Sequence, residues 1–255
     1  MKIFKLPNNI IFTMIILSCA GSKSDNAFSL ENKFEKGIQN LKNEKYLQAQ
    51  SDFKYVLMRG TGSDLGDDAQ YHLGESYFRN EEYLLAVAEY EKLTRKMSFS
   101  PFVEDARFKI CEAYRIESPK YYHDQEYTIK ALERYQEFLD DFPNSSLSNQ
   151  VQVSIESLRE KLGKKAYETG ILYMKMEEYE SAMISFQKVI DEYYDTEFSV
   201  LSKKEIITAL AKNKEIDEAN SLLLINESLL KHHSIYEEAK DEIESMNIKI
   251  LKDKK

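Results

Sequence analysis

A small residue followed twelve positions later by alanine recurs along this chain, and this repeat constrains the fold more than any other feature. The clearest copies pair Gly37 with Ala49, Gly74 with Ala86, and Gly170 with Ala182. An aromatic residue follows each of these alanines by four positions. A fourth copy, around Ala131, carries an eight-residue insertion containing Pro119, and a fifth, weaker copy contains Ala219.

The five alanines stand 37, 45, 51 and 37 residues apart, and both the spacing and the residue types resemble tetratricopeptide repeats. Small residues let two helices approach closely, and one hairpin cannot bury its apolar face without a neighbour. We therefore predict an all-α, right-handed superhelix (solenoid) of about five tetratricopeptide-type hairpins. Residues 30–145 would form hairpins 1–3, and residues 146–255 would form hairpins 4–5 with a C-terminal capping helix.

Local signals agree with this frame. Proline occurs only at positions 101, 119 and 143 after residue 18. Residues 79–82 and 212–215 are polar and lie where the hairpin turns are expected. Ser100 with Pro101 predicts an N-cap followed by proline at the first helical position. Residues 237–251 predict the closing helix.

The amino terminus has the pattern of a secretory signal. Lys2 and Lys5 precede an apolar run at residues 10–17, and the small Ser18 follows, so we predict a signal peptide over residues 1–18. The run is too short to span a bilayer, which takes ~20 residues. Residues 16–19, Ile-Leu-Ser-Cys, resemble a bacterial lipobox, which implies acylation of Cys19. The alternative is a chance cysteine beside an ordinary cleavage site. Residues 19–29 would form a lipidated flexible linker.

Composition excludes several classes of protein. The chain has 44 acidic and 35 basic residues, which argues against a general nucleic-acid binder. Besides Cys19 only Cys111 is present, so no disulfide can form within the folded part. The glycine-rich residues 60–66 lack the Lys-Ser/Thr of a phosphate loop. His233 and Glu237 have a metal-compatible spacing but are too few for a site. We expect that the protein is not an enzyme and has no metal site. Its only cofactor would be the diacylglycerol and N-acyl chain on Cys19.

A narrower resemblance lies in the third repeat and the helix after it. The residues that carry it are Asp124 to Thr128 (DQEYT), Ala131, Tyr135, Phe138, Phe142 to Ser145 (FPNS), Ile155, Leu158, Arg159 and Gly170 to Tyr173 (GILY). Together with the lipobox, the repeat number and the insertion, they resemble the BamD family of outer-membrane β-barrel assembly lipoproteins, over residue 19 to about residue 230. Two positions depart from the family: Ser185 stands in place of an arginine that helps dock BamA, and Tyr193-Tyr194 replaces Tyr-Pro.

The resemblance implies a scaffold, lipid-anchored in the outer membrane and facing the periplasm. Its partners would be a BamA-like insertase, through its POTRA modules, unfolded outer-membrane β-barrel precursors, and other lipoproteins of the assembly (BAM) complex. The insertase would dock on residues 173–251. One alternative within the same fold is an envelope lipoprotein that scaffolds peptidoglycan synthesis or a secretion system. Another is a peptidoglycan-processing enzyme without detectable motifs.

The repeat frame also predicts a peptide-binding groove. Four of the first helices carry an aromatic residue three positions before the small residue: Phe34, Tyr71, Phe108 and Tyr167. In tetratricopeptide superhelices this position faces the concave surface. The candidate groove consists of Phe34, Tyr71, His72, Phe78, Arg79, Phe108, Lys109, Arg115 and Tyr167. Aromatic rings and basic groups suit an extended peptide with an aromatic residue and a free carboxylate. In the alternative interpretation the rings pack between neighbouring helices and bind nothing.

Overall fold

The protein is described by a computed structural model over residues 22–60 and 63–253, with side chains described for residues 30–60 and 63–252. In these ranges the regular elements are α-helices. They are α1 Ser22–Lys42, α2 Tyr46–Arg59, α3 Gly66–Arg79, α4 Tyr83–Lys96, α5 Val103–Glu117, α6 Glu126–Asp141, α7 Ser148–Lys175, α8 Tyr179–Glu192, α9 Glu197–Lys212, α10 Ile216–Ile225, α11 Glu227–His232 and α12 Tyr236–Asp253.

The first ten helices pair into five antiparallel hairpins, which confirms the predicted repeat. All five repeat alanines are fully buried. A Cβ atom added at Gly74 would lie 2.6 Å from the ring of Tyr90, and one at Gly37 would lie 2.7 Å from the ring of Phe53. The aromatic ring of the second helix thus rests on the backbone of the first, and only glycine leaves room for it there.

Four hairpin turns share one backbone geometry. Their third residue is left-handed although it is not glycine, with φ between 59° and 69°, at Glu44, Glu81, Glu177 and Lys214. The next amide donates to a carbonyl five residues back, as in the 3.0 Å bond from Glu82 N to Tyr77 O. This bond is the closing contact of a Schellman cap, which ends the first helix and reverses the chain. The predicted turns at 79–82 and 212–215 are therefore confirmed.

The closing helix α12 repeats the same pattern, which was not predicted. Ser234 has φ 59°, and the amide of Ile235 donates to Leu230 O at 3.0 Å. Ala239 and Ile243 then occupy the places that Ala219 and Leu223 hold in α10, and all four are buried in one cluster. The capping helix is therefore the second helix of a shortened sixth unit, whose first helix is the six-residue α11.

Two predicted boundaries differ from the structure. Helix α1 begins at Ser22, inside the predicted linker 19–29, because residues 22–29 contain neither glycine nor proline. Helix α5 begins at Val103 rather than Pro101. Ser100 Oγ still accepts a hydrogen bond from Phe102 N at 3.3 Å. This bond closes a turn that precedes the helix and does not cap the first turn of α5.

The core consists of stacked clusters that cross the predicted boundary at 145/146. Val151, Ile155 and Leu158, from the first half of α7, pack in one cluster with Tyr135 and Phe138 of α6. The second half of α7 packs on α8 through Gly170, where a Cβ atom would clash with the ring of Phe186. This 28-residue helix therefore belongs to both halves of the solenoid.

Candidate functional site

Four aromatic residues of the predicted groove are half-buried between helices: Phe34, Tyr71, Phe108 and Tyr167. The ring centroid of Tyr71 lies 4.6 Å from that of Phe102 in a stacked arrangement. The ring of Phe34 lies 5.9 Å from His72 of the next hairpin. Tyr71 therefore contributes to packing between hairpins, and burial raises the pKa of its hydroxyl.

The other two aromatic residues pack in the same manner but farther along the chain. Phe108 meets Phe138 of its own hairpin at 5.9 Å. Tyr167 meets Phe186 at 5.6 Å and Phe198 of the following hairpin at 5.4 Å. These contacts fit the packing interpretation, and peptide binding by the partly exposed edges of the rings stays a prediction.

His72 is placed at the contact between the first two hairpins. Its ring stacks on Phe53 with centroids 5.7 Å apart, and burial lowers its pKa. Its Nδ1 is buried and has no hydrogen-bond partner among the described residues. A neutral imidazole that packs as an aromatic ring suits this position.

Two predicted groove cations converge on Glu75, a buried carboxylate that sequence reasoning missed. Lys109 Nζ lies 3.1 Å from Glu75 Oε1, and Arg79 Nε donates to Oε2 at 3.2 Å. The hydroxyl of Tyr90 also donates to Oε1, at 2.7 Å. Burial opposes ionisation of this carboxyl, but Lys109 and Tyr90 outweigh burial and hold its pKa below the usual range. Lys109 also lies 4.6 Å above the ring of Phe78.

Arg115, the third groove cation, is bound in the same way one hairpin later. Its Nη2 donates to Glu112 Oε2 at 2.6 Å, and the hydroxyl of Tyr135 donates to the same carboxylate. Despite burial, these hydrogen bonds lower the pKa of Glu112. The cations of the predicted groove are therefore already partly neutralised by carboxylates of the chain.

The sequence contains a signal for these carboxylates. The residue after the small position is glutamate where the aromatic of the second helix is tyrosine, and isoleucine where it is phenylalanine. The pairs are Glu75 with Tyr90, Glu112 with Tyr135, Ile38 with Phe53, and Ile171 with Phe186. A buried hydroxyl needs an acceptor, and a phenyl ring does not.

The insertion of the third hairpin forms a loop fixed to α7. Lys165 Nζ donates to His123 O at 2.6 Å, and Lys161 Nζ donates to Ser118 Oγ at 2.7 Å. Inside the loop the buried Gln125 amide donates to the carbonyl oxygens of Lys120 and His123 at 2.9 and 3.0 Å. Gln125, in the Asp124 to Thr128 segment, thus shapes the insertion.

Hairpins 4–5 and the closing helix expose large apolar side chains. Met176 is 59% exposed and Ile184 is 72% exposed. Further exposed members of this C-terminal surface are Leu172, Leu224, Ile225, Ile248 and Leu251. Single exposed apolar residues are ordinary, whereas several on consecutive elements are typical of a protein-binding surface.

A mainly apolar cavity of about 590 Å³ lies between α6, α7 and α8. Ile129 and Leu162 line its apolar wall, and Lys165 and Lys188 supply charge at its edge. Ser185, which stands where the BamD family has a docking arginine, also lines it. A short side chain at this position leaves the cavity open.

The described residues contain no group of three or more His, Cys, Asp or Glu side chains placed to hold a metal ion. Cys111 is buried, and burial raises the pKa of its thiol, which makes it a poor nucleophile. Among the helices of the described ranges, none is long and apolar enough to cross a membrane. Cys19 and the predicted signal peptide lie outside the described residues.

The sequence is similar to those of known outer-membrane proteins. Residues 27–222 match a family described as YfiO, outer membrane lipoprotein. The outer membrane protein assembly factor BamD of Rickettsia prowazekii (strain Madrid E) is 24% identical over 203 residues, which cover 78% of this chain and 81% of that protein.

Solved structures of similar helical proteins are more distant. The P58(IPK) TPR domain is 13% identical with a TM-score of 0.45, covering 88% of this chain and 56% of that one. The TPR2AB domain of yeast Sti1, in its pHSP90 complex, is 12% identical with a TM-score of 0.44, covering 89% of this chain and 93% of that one. Because the family match extends over most of the residues that form the hairpins, the chain belongs to the YfiO family of outer membrane lipoproteins.

Proposed function

We propose that this protein is a BamD-like scaffold of outer-membrane β-barrel assembly, held to the membrane by acyl chains on Cys19. Its relative in Rickettsia prowazekii is an outer membrane protein assembly factor, which supports association with the outer membrane and membership of an assembly complex. The scaffold brings partner proteins together and performs no chemistry of its own. Its substrates are unfolded β-barrel precursors.

The C-terminal surface carries this proposal. Exposed Ile184 directly precedes Ser185, which lines the cavity together with Lys188, and Met176 is exposed at the carboxyl end of α7. A partner covering them removes apolar area from water, worth roughly 25 cal/mol per Å². We assign this surface to the periplasmic POTRA modules of a BamA-like insertase, while the N-terminal hairpins remain free for precursors.

The test is co-purification of the insertase with full-length protein from detergent-solubilised membranes. Met176→Glu combined with Ile184→Glu should reduce the recovered insertase at least about tenfold, because two carboxylates replace apolar contacts at the centre of an interface. The matched control is Leu84→Glu with Leu85→Glu, on exposed positions of α4, which should leave recovery unchanged.

Normal recovery with the α8 variant would remove the insertase from this surface. Recovery of peptidoglycan-synthesis or secretion proteins in its place would replace the proposed function with the alternative role. Helical circular dichroism of both variants establishes that any loss reflects binding and not unfolding.

A further inference from the structure

Helix α2 exposes several apolar side chains on one face, where Lys33 of α1 lies 5.4 Å from the centroid of the Tyr55 ring. Leu47 is 64% exposed and Met58 is 78% exposed, with Tyr55 partly exposed between them. Their helical spacing places all three within about a quarter of the helix circumference. They border an open depression of about 420 Å³, which Lys33 and Lys54 also line. We call Leu47, Lys54, Tyr55 and Met58 the α2 face.

The segment 30–60, which contains the α2 face, carries a net positive charge although the protein as a whole is acidic. Residues 30–60 carry six basic and four acidic side chains, whereas the full chain carries 35 and 44. The acidic residue of α2, Asp52, is buried and bound by Lys33 at 2.5 Å and by Asn40 at 2.8 Å. Lys54 is exposed, and its ammonium lies 5.1 Å from the centroid of the Tyr77 ring. Glu82 accepts a hydrogen bond from Gln50, which lines the depression, at 2.8 Å. An anionic partner is attracted here through Lys54 and the excess of two basic residues in 30–60.

The first hairpin is also the folded element nearest to the predicted lipid anchor. Helix α1 begins at Ser22, so only Ala20 and Gly21 separate it from Cys19. Three Cα–Cα steps reach at most about 11 Å. If Cys19 is acylated, the amino end of hairpin 1 is held within that distance of the bilayer surface.

We infer that the α2 face rests on the surface of an anionic phospholipid bilayer. Leu47 and Met58 enter the boundary between headgroups and acyl chains, Tyr55 lies at headgroup level, and Lys54 pairs with lipid phosphates. This inference rests on the lipid-anchored location in the proposed function, but not on the choice of protein partner. The anchor keeps the protein at the membrane, and the α2 face sets the angle at which the solenoid leaves it.

The test measures binding to vesicles by the mature protein, residues 19–255, with Cys19→Ala, so that neither an acyl chain nor the signal peptide contributes. It should co-sediment with vesicles that contain phosphatidylglycerol and much less with vesicles of phosphatidylcholine alone, and high salt should weaken the binding. Leu47→Ser with Met58→Ser, and separately Lys54→Glu, should each reduce the bound fraction at least about fivefold.

The matched control is Leu84→Ser with Leu85→Ser, an exposed apolar pair on α4, which should bind vesicles as the parent does. Equal binding to both lipid compositions, no binding to either, or equal loss in the control would overturn the inference. So would self-association in the absence of lipid that depends on Leu47 and Met58, because the face would then bind a second copy. Each of these results leaves insertase co-purification intact and so tests the α2 face separately.

Discussion

The guanidinium of Arg159 holds the carboxylate of Asp195 through two parallel hydrogen bonds. Arg159 Nε donates to Asp195 Oδ2 at 2.7 Å and Nη2 donates to Oδ1 at 2.6 Å. Nη2 also donates to Glu192 O at 2.8 Å, and these hydrogen bonds hold the pKa of Asp195 below its usual range. Arg159 lies on α7 and Asp195 in the turn after α8, so the pair fastens the end of hairpin 4 to the helix that begins it.

Replacing Arg159 by lysine should therefore loosen this turn. An ammonium cannot make the planar two-point contact with Asp195 and reach Glu192 O at the same time. Because the pair is partly exposed, we expect a loss of about 1 kcal/mol in the free energy of unfolding, measured by urea denaturation. Asp195→Asn should lose a similar amount, and the double variant should lose less than the sum. Additive losses would mean that the two residues act independently.

Enlarging the repeat alanines should destabilise their hairpins. Ala86 and Ala182 are fully buried against the neighbouring first helix, so leucine at either position overpacks the contact at a cost of about 1–3 kcal/mol. Thermal unfolding followed by circular dichroism measures this cost. Ala88→Leu, at an exposed position of α4, is the matched control and should have little effect. Midpoints equal to the parent's for both buried variants would contradict the repeat frame.

The buried Glu75 should make stability depend on acid. Its pKa is lowered in the folded state, so its contribution is fully present above the unfolded value of ~4.3 and is lost as pH falls through the folded pKa. Glu75→Gln should reduce stability at neutral pH and flatten its decline below about pH 4. Urea denaturation across pH tests this, with Glu35→Gln on the exposed face of α1 as the control. An unchanged decline in the Glu75 variant would place the acid sensitivity elsewhere.

Acylation at Cys19 is open to direct labelling. Cells grown with a radioactive fatty acid should label the parent protein and leave Cys19→Ala unlabelled, and the variant should become soluble in the periplasm. Cys111→Ala serves as the control and should keep the label, because the Cys111 thiol is buried. Equal labelling of the Cys19→Ala variant would contradict acylation at Cys19 and would weaken the proposal of a lipid-anchored BamD-like scaffold.

The predicted groove can be tested with a peptide that ends in Tyr-x-Phe. Arg79 is exposed on one side and bound to Glu75 on the other, so Arg79→Ala removes a cation without opening the core. We expect this change to weaken binding by about 1–3 kcal/mol, and Tyr71→Ala to do the same if the helical signal is retained. Lys92→Ala, an exposed change on α4, should be silent. Undiminished affinity in both groove variants would leave the aromatic rings a packing role alone.

Much of this architecture could be predicted because the repeat encodes it locally. Glycine, alanine and the aromatic that rests on the glycine stand at fixed spacing, so positions such as Gly74, Ala86 and Tyr90 identify the hairpins without knowledge of long-range contacts. The turns inside the hairpins could be predicted for the same reason. The sixth unit was missed because its first helix is reduced to six residues, which removes the spacing that the frame relies on.

The chemistry of the groove was harder to predict. Sequence placed Lys109 and Arg79 on the concave side but gave no reason to count Glu75 among their partners, because a lone glutamate on a helix is usually solvated. Only the packing of α5 on α3 brings the Lys109 ammonium to that carboxylate. Likewise, the sequence identified Arg159 by its place after Ile155 and Leu158, but its partner Asp195 lies 36 residues later in the chain and could not be recognised.

The continuity of α7 has a mechanical consequence. Its first half is embedded in the core of hairpin 3 and its second half carries hairpin 4, with no glycine pair or proline to act as a joint. Helix α7, about 42 Å long, therefore joins the two halves of the solenoid as one rigid element. Through Lys161 and Lys165, the same helix holds the loop of the insertion. A partner that tilts the C-terminal hairpins turns α7 as a lever, and the inner wall of the N-terminal half must move with it.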